Sequence, residues 1–167
     1  VIKIASAGRS GSAWLCNILS GVGLKTVHEF YPYNVTQPDA VADTTWMMNP
    51  KGFWDSLSPS DTLVVIDRET KGRLASIHNL LGEYDSTYLD QCWADFVLAA
   101  SEGVHPNTYL FSYESLFDLE TRDQVRHMLF ANGHSDTNLD NMWNASISMR
   151  ITNWKSELNV RRALGLA

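Results

Sequence analysis

The chain has 167 residues, 44% hydrophobic and 19% charged, with a formal net charge of −6 and a pI near 5.2. That length supports one domain, residues 1–167, with a real core, and the acidic balance argues against general nucleic-acid or membrane-surface binding. No apolar run approaches the ~20 residues of a membrane span. Cys16 and Cys92 form no metal or redox pattern, which fits a reducing compartment; no signal peptide is expected before Val1, and the expected compartment is cytoplasmic.

Val1–Ile4 has strand character and leads into the small-residue stretch Ala5-Ser6-Ala7-Gly8-Arg9-Ser10-Gly11-Ser12-Ala13. Helical spacing follows over Trp14–Leu19. A strand, a turn of small residues and a helix start make the geometry of a phosphate-binding loop, in which backbone N–H groups and the helix N-terminus point at an anion. The nucleotide-triphosphate version of this loop ends Gly-Lys-Ser/Thr, with the Lys on the phosphates and the hydroxyl on Mg²⁺. Here Ser12 and Ala13 follow Gly11, and the cation comes earlier, at Arg9. The pattern fits an anion cradle without the metal-holding hydroxyl.

Gly21-Val22-Gly23 reads as a helix stop, and Leu24–Phe30 as a second short strand with the polar pair His28-Glu29 near its end. Residues 31–60 hold Pro32, Pro38, Pro50 and Pro59 among several aromatics and read as loop with short helical pieces. Thr62–Arg68 is the clearest strand, and its continuous apolar run suits burial on both faces of a parallel sheet. Helical segments are expected over 73–81 and over 88–100, the latter with Leu89, Trp93, Phe96, Val97 and Ala100 on one side. A strand over 107–113 follows, then helices over 121–131, 138–147 and 155–164, with a loop over 149–154. Strands alternating with helices give an α/β class with a small parallel sheet. Ligands of such sheets sit at the carboxyl ends of the strands, and Arg68 stands at one of those ends.

Four pieces of the chain, in order, resemble the signatures of sulfotransferases. Gly8-Arg9-Ser10-Gly11-Ser12-Ala13-Trp14-Leu15 is similar to that family's sulfate-donor loop. Arg68 at a strand end, with Ser76 eight residues on, resembles the pair that holds the donor's 3′-phosphate. Tyr113-Glu114-Ser115-Leu116 resembles its Tyr-Glu-Asp-Leu, and Arg150 to Lys155 is a looser echo of its basic loop before Trp-Lys. The resemblance implies a three-layer P-loop fold with a small central parallel β-sheet flanked by helices. It also implies transfer of the sulfuryl group of 3′-phosphoadenosine 5′-phosphosulfate, as co-substrate and without a metal, to a hydroxyl or amine. Arg9 would stabilise charge on the leaving 5′-phosphate. Gly8, Ser10, Gly11, Ser12 and Ala13 would hold the phosphosulfate, Trp14 would stack on adenine, and Arg68 and Ser76 would bind the 3′-phosphate. Tyr113, Arg150 and Lys155 would complete the donor site.

The general base is expected at Glu29, with His28 as the alternative, because some family members carry a Glu at the end of the second strand. The acceptor would be a small molecule or a carbohydrate, with no nucleic-acid partner. Gly8 stands where the family has Pro, and Ala13 where it has a hydroxyl residue. The shortness of the chain leaves little room for acceptor-binding insertions. The rival readings are a non-catalytic binder of the same nucleotide and a P-loop kinase, which the absence of Lys and Ser/Thr after Gly11 disfavours.

Overall fold

The computed structural model describes residues 1–8, 10–29, 35–81 and 85–147. The expected loop over 149–154 and helix over 155–164 lie outside the described residues. Five strands are described: β1 (Ile2–Ser6), β2 (Thr26–His28), β3 (Ala40–Asp43), β4 (Thr62–Asp67) and β5 (Thr108–Ser112). They form one parallel sheet in the order β2-β3-β1-β4-β5. The described helices are α1 (Ser12–Gly21), α2 (Pro50–Asp55), α3 (Thr70–Leu81), α4 (Thr87–Ser101), α5 (Leu119–Ala131) and α6 (Leu139–Ile147), with a 3₁₀ turn at Trp46–Met48. The fold is α/β, a parallel sheet between helical layers, as the alternation of strands and helices predicts.

The sheet has a core on each face because the side chains of a strand alternate. Ile2, Ile4, Val64 and Ile66 pack with Leu15, Ile18 and Leu19 of α1, Val125 and Leu129 of α5 and Trp143 of α6. Ala5, Leu63 and Val65 pack on the opposite face with Phe53 of α2 and Trp93 and Phe96 of α4. Leu63, Val64, Val65 and Ile66 are each no more than 1% exposed, so each contributes roughly 1.5–3 kcal/mol of burial. This is the both-face burial that the apolar run Thr62–Ile66 predicts.

The segment 31–60 departs from the expectation of loop with short helical pieces. It holds α2 and the 3₁₀ turn, but also β3, an interior strand hydrogen-bonded between β1 and β2. The inward residues of β3 are Ala40 and Ala42, both fully buried, and they pack in the core that α1 shares. Small side chains suit a strand that lies close under a helix, and they leave no apolar run to read.

The strand order sets where a ligand can enter. From β1 the chain moves through α1 toward β2 at one edge, and from β4 it moves through α3 and α4 toward β5 at the other. The reversal lies between the carboxyl ends of β1 and β4, which are adjacent strands paired through Ser6 and Ile66. Crevices at such switch points are where open α/β sheets bind ligands.

Candidate functional site at the carboxyl ends of the strands

The turn after β1 enters α1 through Gly11, whose φ of 92° lies in the left-handed region. A Cβ there would come within 2.5 Å of Leu116 Cδ1 and 3.4 Å of the Tyr113 ring. Glycine is required on both counts. The Leu15 N–H donates to the Gly11 carbonyl at 3.0 Å and begins the helix. No side chain caps this end, and no acidic residue stands in its first turn. The unpaired N–H groups of that turn, and the positive end of the helix dipole, are therefore left for an anion. Ser10 is fully buried and Ser6 is 1% exposed, and the hydroxyl of each has no hydrogen-bond partner. Buried hydroxyls are ordinarily paired, so two orphaned ones flanking the turn mark it as a place built for a further polar group. A Cβ at Gly8 would meet nothing within 4 Å. Arg9 lies outside the described residues.

At the other end of α1 the expected stop is present. The Gly23 N–H donates to Ser20 O and the Leu24 N–H to Leu19 O, with Gly23 at a φ of 101°. This is the paired-bond glycine cap that closes helix C-termini, and it returns the chain into β2.

On one side of the turn, β2 ends in His28 and Glu29. His28 Nε2 lies 3.1 Å from Ser12 Oγ, so the polar pair does reach the anion turn. Glu29 has a φ of 56°, a conformation that costs a non-glycine residue roughly 1–2 kcal/mol. Two bonds hold it there: its N–H donates to Ala42 O at 2.7 Å, and its Oε1 accepts from the Thr44 N–H at 3.3 Å. Ser12, expected on the donor anion, is occupied by His28 in this structure.

On the other side stands Arg68, directly after β4. Its guanidinium carbon lies 3.9 Å from the centre of the Tyr113 ring. Tyr113 follows β5, and its N–H donates to Asp67 O at 2.6 Å, which extends the β4–β5 pairing by one residue. Gly11, Arg68 and Tyr113 thus meet around one aromatic ring. Ser76 is partly buried on α3, the helix that Arg68 and Glu69 lead into. Arg150 and Lys155 lie outside the described residues.

Trp14 does not present the open face expected of a stacking platform. It is 5% exposed. Its ring packs edge-to-face with Trp143 at 4.8 Å and with Phe117 at 5.2 Å between centroids. It belongs to the core between α1 and α6.

Arg73 goes unnoticed in the sequence, where it is one basic residue in an ordinary helical segment. In the structure it is 3% exposed and pairs with Asp90 in the first turn of α4. Asp90 also accepts from Ser86 Oγ at 2.6 Å. Burial pushes the Arg73 guanidinium below its ordinary value; the Asp67 carboxylate opposes this and the Arg68 cation adds to it. A second, buried cation thus lies near enough to Asp67 and Arg68 to feel both charges. Asp67 in turn accepts from Trp93 Nε1 at 2.8 Å, which ties the end of β4 to α4.

Among the described residues, no group of three or more His, Cys, Asp or Glu is arranged to hold a metal ion, and no helix is long and apolar enough to cross a membrane.

No family model and no curated protein matches the sequence. Among solved structures, the chain is similar to mouse sulfotransferase SULT7A1 complexed with PAP, with a TM-score of 0.59 over 87% of this chain and 63% of that one, at 14% sequence identity. The chain spans less than two thirds of that protein's length. At this identity the likeness is one of architecture, and the chain has a sulfotransferase-like α/β fold.

Proposed function

We propose that the chain binds 3′-phosphoadenosine 5′-phosphosulfate across the crevice between β1 and β4, and transfers its sulfuryl group to a hydroxyl or amine of a small-molecule or carbohydrate acceptor. The observation that carries this reading is the Tyr113 ring, which borders Gly11 of the anion turn and carries Arg68 on its face. Two anion-binding elements at one site suit a nucleotide with phosphate groups at both its 5′ and 3′ positions. The PAP bound to the similar sulfotransferase supports the same choice.

In this reading the 5′-phosphosulfate lies on the N–H groups at the start of α1, near Gly8, Ser10, Gly11, Ser12 and Ala13, with Arg9 against the leaving oxygen. Arg68 and Ser76 hold the 3′-phosphate, and Arg150 and Lys155 close over it. The acceptor oxygen forms a bond to sulfur as the bond from sulfur to the 5′-phosphate oxygen breaks. The electron pair of the broken bond leaves with that phosphate, and Glu29 takes the acceptor proton. The transition state is loose, so positioning and charge stabilisation do most of the work. Glu29 is preferred as base over His28 because the His28 ring is engaged with Ser12 on the donor side.

Calorimetry with adenosine 3′,5′-bisphosphate on the wild type and on Arg68→Ala tests the site. The expected result is binding by the wild type and a loss of about tenfold or more in the variant, the scale of one charge-assisted hydrogen bond. Equal binding by both overturns the assignment of Arg68, and tighter binding of Mg²⁺-ATP overturns the choice of nucleotide. Glu29→Gln is expected to retain bisphosphate binding while losing turnover by about 10²-fold or more. A wild type that binds the bisphosphate but transfers nothing to phenol, sugar and amine acceptors is a binding protein of this fold.

A further inference from the structure

We infer that His28 is a positioning residue for the anion turn: its Nε2–H holds the Ser12 oxygen, so that the Ser12 hydroxyl proton is turned toward the bound anion. The inference rests on the proposed nucleotide reading and says how the turn is set for its anion. Ser12 is the first residue of α1 and is only 5% exposed. Its Oγ lies 3.1 Å from His28 Nε2. The backbone of β2 brings the imidazole there. His28 pairs in register with Ala42 of β3. Thr26, two residues earlier and so on the same side of the strand, meets the hydroxyl of Ser20 on α1 through its own. β2 is thus fastened to α1 by two polar contacts, one near each end of the helix, and one of them is made at the anion turn.

Donors and acceptors give the contact a direction. A hydroxyl has one proton to donate, and a neutral imidazole has one nitrogen that donates and one that accepts. With the Ser12 proton spent on His28 Nε2, only oxygen lone pairs would face the ligand, and these repel the oxygens of a phosphate or sulfate. With the proton on Nε2, Ser12 accepts from the ring and its own proton is left for the anion. No acidic residue in the first turn of α1 competes for that proton. An anion at this turn therefore selects the second arrangement. In the chain from Nε2–H through the Ser12 O–H to the anion, each bond polarises and strengthens the next. The same arrangement withholds Nε2 from the acceptor proton and leaves that task to Glu29, which is held by Ala42 and Thr44.

The test is calorimetry with adenosine 3′,5′-bisphosphate on the wild type, His28→Phe, His28→Gln, Ser12→Ala and the double variant of Ser12→Ala with His28→Phe. His28→Phe keeps a ring without the donor, whereas His28→Gln offers an amide N–H in place of Nε2–H. The expected losses are roughly threefold to tenfold for His28→Phe and for Ser12→Ala, the scale of one net hydrogen bond. His28→Gln should hold affinity near that of the wild type. The double variant should lose no more than Ser12→Ala alone, because both changes break one relay. In ¹⁵N spectra of histidine-labelled protein, Nε2 of His28 should carry a proton in the bisphosphate complex. Unchanged affinity in His28→Phe, or strictly additive losses, overturns the inference and leaves the nucleotide reading intact, since the contact then only joins β2 to α1. An unprotonated Nε2 in the complex overturns it as well. A wild type that binds no adenosine bisphosphate overturns both readings.

Discussion

The guanidinium of Arg68 lies against the ring of Tyr113, with 3.9 Å from its central carbon to the ring centre. The two residues follow neighbouring strands that run side by side, Asp67 opposite Ser112, so the pairing register of the sheet decides that they meet. If this contact holds Arg68 in place for a phosphate, Tyr113→Leu weakens adenosine 3′,5′-bisphosphate binding by roughly threefold to tenfold, the scale of a partly exposed cation–π contact. Tyr113→Phe keeps the ring and keeps the affinity. Calorimetry on the two variants decides it, and an equal loss for Phe and Leu would transfer the role to the phenol hydroxyl.

Gly72 lies against the same arginine. A Cβ at that position would stand 3.2 Å from Glu69 Oε1, 3.4 Å from Arg68 Nε and 3.5 Å from its Nη2. Alanine inside α3 is worth roughly 1 kcal/mol more than glycine. Gly72→Ala is therefore expected to raise the melting temperature while shifting the guanidinium and lowering bisphosphate affinity roughly threefold, as when a weak cation–π contact is lost. A variant that gains stability with no change in affinity would mean that Arg68 readjusts without loss.

Gly11→Ala should be costly. The left-handed backbone charges any side chain roughly 1–2 kcal/mol, and the 2.5 Å approach to Leu116 Cδ1 adds overpacking of about 1–3 kcal/mol. Urea denaturation should show both. Because the second part is a direct clash, Gly11→Ala combined with Leu116→Ala should lose less than the sum of the single variants. Strict additivity would contradict the clash.

Asp61 carries a pH dependence. It is 6% exposed. Burial pushes its carboxyl up, but the Ser58 N–H at 2.9 Å and the Lys3 ammonium at 3.2 Å outweigh that and hold it below its ordinary value. A carboxylate depressed on folding adds stability that is complete above its unfolded-state pKa of ~3.9 and is lost as the pH falls through the folded one. Asp61→Asn should cost about 1–3 kcal/mol at pH 7, and the gap to wild type should narrow in urea titrations taken below pH ~4. A gap that widens in acid would reverse the sign of the linkage.

The readable parts of the chain were those where burial uses bulky side chains. Thr62–Ile66 declares itself because Leu63, Val64, Val65 and Ile66 must fill both cores. β3 does not, because Ala40 and Ala42 are small where α1 passes close by, and proline-rich sequence surrounds them. The turn at Gly11 and the strand end at Arg68 can be found from residue type and spacing, since each is a local feature. The Ser12–His28 contact follows only once β2 is known to run beside the turn. The cover over Trp14 comes from α6 and from the turn after β5, more than a hundred residues away in the chain, and no local pattern announces it. Arg73 likewise reveals itself only through its partner on another helix.

The strand order also bears on when such a site comes into being. β1 and α1 are made first, yet the partner that gives the anion turn its second wall, β4, pairs Ile2 with Thr62, and Tyr113 arrives later still, on the far side of β4. Closing loops of that length costs entropy before any contact repays it. A chain emerging from its N-terminus therefore carries an incomplete cradle until β5 has docked, and ligand affinity becomes a reporter of the last step of sheet assembly rather than of the first.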